Sequence, residues 1–299
     1  MRFGIMALQL GLILPAAAGD TPAAARARLA AFDVAALVST LADAGFSTVE
    51  LNTDLELFLP GCYDEAALDR LATLQERRGL AYTVHLPLWS IEPSTPDPRV
   101  RQASLAALAD SLYRLSRLEP AVFVLHATGA LAAEFGRLGL PPLAKALVTD
   151  VFRDRARASL AALLAQTGVA PRRLALENVE FPFEATLALA EEFDCSLCLD
   201  TGHLLAGLSG PWGFDEAVER ALPRLAEVHL HDGYRRQGKG GAVAADHLPL
   251  GRGDLPLAWL LGRLEATRFA GPLVLELSLA DALASLAAVR RARPGLLPD

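Results

Sequence analysis

The sequence predicts an α/β fold of the (β/α)8 TIM barrel type, in one domain. Three observations lead there. Eight short apolar runs alternate with amphipathic helical stretches from end to end, the pattern of a parallel sheet that closes on itself. The chain has 299 residues, close to the length of about 250 that one such barrel takes. Histidines and acids recur at the ends of the apolar runs, and the loops after barrel strands are where active sites are built.

The elements can be placed in order. Residues 2–7 make the first strand. A secretory signal would also begin with a charge (Arg2) and an apolar stretch such as residues 8–18. Losing that stretch would remove one of only eight strands, so we expect it to be retained and the protein to be cytoplasmic. A small helical insertion is expected at 16–28, then helix 34–44, strand 47–51, helix 65–78 and strand 82–86. Helix 100–115 leads to strand 121–126, and a Gly-, Pro- and Leu-rich insertion at 128–148 precedes helix 154–166 and strand 173–177. Helix 186–193, strand 197–201, helix 214–222 and strand 227–231 follow. Helix 256–265, strand 272–277 and a closing helix 279–291 complete the chain. No linker, repeat or low-complexity segment interrupts it, so residues 1–299 read as one domain with rim insertions near 8–30 and 128–150. Both insertions follow strands, so both are candidate lids or substrate walls.

Composition narrows the function. Apolar residues make up 52% of the chain, ample for a large core, and the net charge is −7. An acidic balance argues against a nucleic-acid surface, and no stretch approaches the ~18 uncharged apolar residues of a membrane span. Three cysteines without a framework suit a reducing cytoplasm. Cys195 and Cys198 form C-x-x-C inside an apolar run, with neither the helix N-terminus nor the second pair that a redox or zinc site wants. They read as two small strand residues. Nucleophile-elbow, P-loop and Gly-x-Gly-x-x-Gly patterns are missing.

The chemistry sits in the strand-end residues. The six histidines are His85, His126, His203, His229, His231 and His247, and none falls on a predicted helix. Glu177, Asp200 and Glu276 each end an apolar run. A buried ionised carboxylate is costly unless it is paired or binds metal. Arginine pairing would also serve, but these strand ends carry histidines. Imidazole with carboxylate is the usual set for zinc, manganese, iron or cobalt. Arg235, Arg236 and Lys239 crowd a Gly-rich loop beside His231, as a solvated loop or as a phosphate anchor. Gly251-Arg252-Gly253-Asp254 reads as a turn.

Several motifs run in order: Val-His-Leu-Pro at His85, Val-Leu-His at His126, Leu-Glu-Asn at Glu177, Leu-Asp-Thr-Gly-His at Asp200 and His203, Val-His-Leu-His-Asp at His229, Asp-His-Leu-Pro-Leu-Gly-Arg-Gly at His247 and Leu-Glu-Leu at Glu276. With them the chain resembles the xylose-isomerase-like superfamily, which includes sugar isomerases, sugar epimerases and the zinc-dependent endonucleases of AP endonuclease family 2. In its details it looks most like the cobamide-remodelling phosphodiesterases. The resemblance spans nearly the whole chain and implies one to three divalent ions, Zn2+ or Mn2+. By resemblance to the isomerases and epimerases, Glu177, Asp200, His229 and Glu276 hold one ion, with Glu177 and Glu276 as the catalytic pair. By resemblance to the endonucleases, His85, His126, His203 and His247 hold further ions. One departure touches the third ion: the endonucleases have Asp-x-His where this chain has Ala245-Asp246-His247, and adjacent residues of a strand point to opposite faces. Substrate contacts are expected from His231, Asn178, Arg235 and Arg252.

The surplus of histidines favours hydrolysis of a phosphodiester in a small nucleotide-containing substrate such as a cobamide. The alternatives are a sugar or sugar-phosphate isomerase or epimerase and a non-catalytic barrel that binds a sugar or corrinoid. The implied partners are a small molecule (phosphodiester, corrinoid or sugar phosphate) and a second copy of the chain, with no nucleic acid and no membrane.

Overall fold

The computed structural model describes residues 1–14, 21–238 and 241–297. The chain runs β1 (Arg2–Met6), α1 (Leu10–Ile13), α2 (Pro22–Ala30), α3 (Val34–Asp43), β2 (Thr48–Asn52), α4 (Leu55–Phe58), α5 (Glu65–Arg78), β3 (Ala81–His85), α6 (Pro98–Leu115) and β4 (Phe123–Leu125). It continues through α7 (Ala130–Arg137), α8 (Pro142–Thr167), β5 (Leu174–Glu177), α9 (Phe183–Glu192), β6 (Ser196–Asp200), α10 (Thr201–Ala206), α11 (Phe214–Ala221) and β7 (Leu225–His229). The last elements are β8 (Asp232–Gly238), β9 (Gly241–Leu248), α12 (Leu257–Ala266), β10 (Pro272–Leu275) and α13 (Leu279–Ala292).

The strands β1-β10-β7-β6-β5-β4-β3-β2 form a closed barrel with parallel pairing throughout. Gln9 ties the two ends together. Its Nε2 donates to Met6 O (2.9 Å) and Leu277 O (2.8 Å), and its Oε1 accepts from Leu279 N (2.8 Å). The first strand is thus an integral stave, as expected from the count of eight.

Alternation sorts the side chains. On β3, Tyr82 turns outward and its hydroxyl donates to Leu71 O of α5 (2.9 Å). Thr83 and His85 turn inward by the two-residue period of a strand. The same parity sends Thr48, Glu50 and Asn52 of β2 and Glu227 and His229 of β7 inward. One side of the interior is apolar, a small cluster of Val122, Val124, Ala175 and Cys198 separate from the main core between barrel and helices. The other side is buried and polar. Cys195 and Cys198 are both buried and free, and burial pushes their thiols up, Cys195 to about 11.

Two expectations need correction. The helix placed at 154–166 begins at Pro142, with proline in the first turn. Proline is welcome there because its missing N–H has no partner in that turn anyway. The rim insertion at 128–148 is therefore mostly helical, as α7 and the first turns of α8. The Gly-rich loop after His231 is an antiparallel hairpin, β8 and β9. Arg236 stacks on Tyr234 (4.5 Å to the ring centroid) and pairs with Asp254 at 3.2 Å. Lys239 and residues 15–20, a part of the first rim insertion, lie outside the described residues; the rest of that insertion holds α1 and α2.

Asp232 anchors the hairpin. Its Oδ1 accepts from Gly233 N and Leu255 N (both 2.9 Å), and its Oδ2 accepts from Gly251 N (2.8 Å). The backbones pass so closely that a Cβ on Gly253 would lie 2.3 Å from Gly233 O. Neither backbone can yield cheaply. We expect Gly253→Ala to destabilise the fold by about 1–3 kcal/mol, read as a fall in Tm. An unchanged Tm would contradict this packing.

Candidate metal centre

All eight ligands expected from the sequence converge at the C-terminal mouth of the barrel. His85, Glu177, Asp200 and His229 end β3, β5, β6 and β7, His126 and Glu276 follow β4 and β10 by one residue, His203 lies on α10, and His247 lies on β9. With Asp246 they fall into three groups whose ligand atoms lie within 4.8 Å of one another: His85, His126 and Glu177; Glu177, Asp200, His229 and Glu276; and His203, Asp246 and His247. Two overlapping sets, Asp200, His231, His247 and Glu276, and Glu50, Glu227 and His229, lie equally close. Glu177 joins the first two. Its Oε2 lies 3.3 Å from His85 Nε2 and 2.9 Å from His126 Nε2, and its Oε1 lies 3.4 Å from His229 Nδ1. Glu276 Oε2 lies 3.3 Å from both His229 Nδ1 and His247 Nε2.

The third group removes the concern over adjacent Asp246 and His247. Tyr234 pairs with Ala245 while Asp232 pairs with Leu248, so β9 carries an extra residue there. His247 takes the left-handed conformation, φ 50°. A bulge of this kind re-aims side chains. Asp246 Oδ2 then lies 3.2 Å from His247 Nδ1 and 3.6 Å from His203 Nε2.

Hydrogen bonds fix which ring nitrogen is free. His85 Nδ1 is 2.9 Å from Leu86 O and His203 Nδ1 is 2.9 Å from Asn178 O. A carbonyl can only accept, so the proton sits on Nδ1 and Nε2 keeps its lone pair for a ligand. His229 is reversed: its Nε2 donates to Glu50 Oε2 at 3.3 Å, which leaves Nδ1 facing the carboxylates. His231 behaves differently from His229. Its Nε2 accepts the amide of Glu276 (3.0 Å), its Nδ1 lies 3.2 Å from Asp200 Oδ2, and its ring stacks on His247. An accepting Nε2 puts the ring proton on Nδ1, towards Asp200, so in this tautomer His231 orients Asp200 and offers no free lone pair to an ion.

The donor set fits divalent cations. Glu177, Asp200, Asp246 and Glu276 have no Arg or Lys ion-pair partner among the described residues; every contact in hydrogen-bond range with a charged partner is a histidine. Protonated histidines balance these acids in the metal-free protein, and a divalent ion that displaced those protons would take over that charge. His229 Nδ1 and Asp200 Oδ2 are buried without a hydrogen-bond partner, and both face the four-residue group. Orphaned buried polar atoms are costly, and a cation between them would satisfy both.

Sequence reading missed the support beneath. Glu50 and Glu227 are fully buried acids in the barrel interior, bridged by Thr83, whose hydroxyl is 3.1 Å from Glu227 Oε1 and 3.4 Å from Glu50 Oε2. Burial, and next the charge of Glu50, push the Glu227 carboxyl well above the usual range. The signal was present, since Glu50 stands inside Thr-Val-Glu-Leu-Asn and Glu227 stands two residues before His229 on the same face.

The expected substrate residues scatter. Asn178 is a clamp: its Nδ2 donates to Asp200 O (3.0 Å) and Ser209 Oγ (3.3 Å), and its Oδ1 accepts from Asp200 N (2.7 Å). Arg252 is exposed on its turn. Arg235 lies against Gly207, away from the cavity over the metal centre. That cavity, about 460 Å³, is walled by Leu8, Leu10, Leu88 and Trp89 above His85, His126 and Glu276.

Protonation follows from the geometry. Burial would lower His85, but the Glu177 hydrogen bond and the charge of Glu50 outweigh it and raise it to about 9. His247 is likewise raised to about 11, with Asp246 and Glu276 overcoming burial. Burial would raise Glu177, yet His126 and His229 hold it well below the carboxylate range. A raised histidine stabilises the metal-free fold fully below its unfolded value near 6.5 and loses that contribution as pH rises through its folded value. Metal must displace those protons. We expect metal-free protein to lose Tm between pH ~6.5 and ~9 while apparent metal affinity climbs across the same window. Calorimetry in buffers of different ionisation enthalpy reads the protons released; none at about pH 7 would contradict the assignment.

Fold and site together define a (β/α)8 barrel with a histidine–carboxylate centre suited to divalent metals. The model of the xylose isomerase-like TIM barrel family matches residues 38–293, and the chain belongs to that family. Among solved structures, a D-tagatose 3-epimerase-like protein is 18% identical over 98% of this chain and 97% of its own, with a TM-score of 0.69. The 3-keto-D-glucoside 4-epimerase YcjR from E. coli is 16% identical over 97% and 99%, TM-score 0.67. Endonuclease IV from Thermus thermophilus is 20% identical over 98% of each chain, TM-score 0.62. No curated protein matches the sequence. No described helix is long and apolar enough to cross a membrane.

Proposed function

We propose that this protein is a hydrolase with more than one metal ion, cleaving a phosphodiester in a small nucleotide-containing molecule. The observation that carries the reading is the set of three contiguous ligand groups, since an isomerase or epimerase needs only the one that holds Glu177, Asp200, His229 and Glu276. When bound, such ions stabilise the attacking and leaving oxygens of a phosphodiester. The chain's own residues do the rest. Glu177 links two groups, His231 orients Asp200 and the Glu276 backbone, and Asn178 fixes the turn that carries Asp200. Leu8, Leu10, Leu88 and Trp89 line the mouth and offer an apolar face to the substrate. That face supports a ligand with a broad apolar surface, for which a cobamide is our first choice. The net charge of −7 favours a small substrate over DNA, and three free cysteines suit a reducing cytoplasm.

The test is metal content of protein purified without chelator or histidine tag, followed by assay on bis-p-nitrophenyl phosphate and cobamides. Two or more ions per chain with diester cleavage support the reading. One ion per chain and no cleavage overturn it.

The comparisons favour the alternative reading, a sugar or sugar-phosphate epimerase or isomerase, over the hydrolase: most of the similar solved structures are sugar epimerases, with one endonuclease IV, and the group of Glu177, Asp200, His229 and Glu276 suits it. There Glu177 and Glu276 would exchange a proton at carbon. Deuterium uptake from solvent into a ketose would support it.

A further inference from the structure

A second cavity, also about 460 Å³, lies on the rim and shares no lining residue with the one over the metal centre. Its volume is in the range of small-molecule sites. Four separate segments build it: the α7–α8 insertion, the loop after β5, the turn after α10 (207–211) and the β8 strand of the hairpin. Ala132, Phe152 and Phe181 form its floor as part of an apolar cluster distinct from the main core. The Phe135 ring lies 5.7 Å from that of Phe152.

Three cations stand around this apolar floor. Arg137 pairs with Glu180. Lys145 and Arg235 have no carboxylate partner among the described residues. The Arg235 guanidinium lies across Gly207, where a Cβ would come within 2.6 Å of Nη1. Gly207 closes α10 at φ +73°, so the same position requires glycine for its backbone and clears the path of the arginine. Two uncompensated cations beside an aromatic wall in a concave site match an anion of charge near −2 carried on a flat apolar body.

We propose that this cavity binds an aromatic phosphate monoester, with its ring system on Phe135 and Phe152 and its phosphate between Lys145 and Arg235. The site lies outside the metal centre, so the inference does not rest on the proposed reaction.

Titration calorimetry of the metal-loaded protein with adenosine 5′-monophosphate, adenosine and inorganic phosphate tests it. The monophosphate should bind at least about tenfold more tightly than either fragment, and a Lys145→Ala/Arg235→Ala double variant should weaken it by about 100-fold, roughly tenfold per charge-assisted contact. Both positions are exposed, so the double variant should keep the wild-type Tm. Glu177→Gln should leave this affinity unchanged. Three results would overturn the proposal: no binding at millimolar concentration, affinity that survives in the double variant, or affinity lost in Glu177→Gln, which would put the phosphate on the metal centre. Inorganic phosphate binding as tightly as the monophosphate would do the same by leaving the aromatic wall without a role.

Discussion

Glu177→Gln should lower turnover by about 10^3-fold, in line with the loss of one preorganised electrostatic group, and should also reduce the metal content. The substitution is nearly isosteric, so the fold is kept. What changes is one of two oxygens. In the native chain Oε2 faces His85 and His126 while Oε1 faces His229. A glutamine can present its carbonyl to one side only and must turn an NH2 group towards the other, where it cannot ligate. One of the two groups sharing Glu177 therefore loses its acid. Elemental analysis beside a turnover assay reads both effects, and the pattern separates the two functional readings. A centre with several ions should lose part of its metal, whereas a mononuclear centre should bind its one ion weakly throughout. Full metal content with full turnover would sink the assignment of Glu177 in either case.

Much of this centre was legible because burial makes strand-end acids expensive. Glu177, Asp200 and Glu276 each follow an apolar run, and that position says they are buried, hence partnered. The histidines named the partner. What stayed hidden depends on backbone geometry that sequence does not print. Asp246 and His247 look incompatible as adjacent strand residues until the bulge on β9 and the left-handed His247 are known. The hairpin itself was hidden because Gly and Arg in Gly-Tyr-Arg-Arg-Gln-Gly read as a loop, while its strands are specified by pairing with one another and by the Asp232 anchor. Asn178 has a structural role that its position beside Glu177 does not reveal, because its hydrogen bonds to the Asp200 backbone depend on the fold. Arg235 points to a different cavity than expected for a similar reason: its neighbour in space, Gly207, is fixed by how α10 packs on β8.

Glu50 carries the second large expectation. It supplies no ligand to the three groups, yet Glu50→Gln should weaken binding of a divalent ion at Glu177, Asp200, His229 and Glu276 by about 10–100-fold. The reason is tautomeric. Glu50 Oε2 accepts from His229 Nε2, so the proton is kept there and Nδ1 is left free towards Glu177 and Glu276. A carboxylate can only accept, whereas a glutamine can also turn its NH2 group to Nε2 and stabilise the opposite tautomer, with the proton on the nitrogen that should ligate. Glu227 faces Glu50 through Thr83, and the described contact of His229 Nε2 is with Glu50, so Glu227 is not oriented as a substitute acceptor. Competition with a chelator of known affinity measures the loss. Binding of a divalent ion at the proposed site of His203, Asp246 and His247 would serve as an internal control, because none of those residues touches Glu50. Unchanged affinity at the first site would mean that the His229 tautomer is set by its ligands alone. Equal weakening at both sites would mean that the substitution disturbs the barrel mouth as a whole.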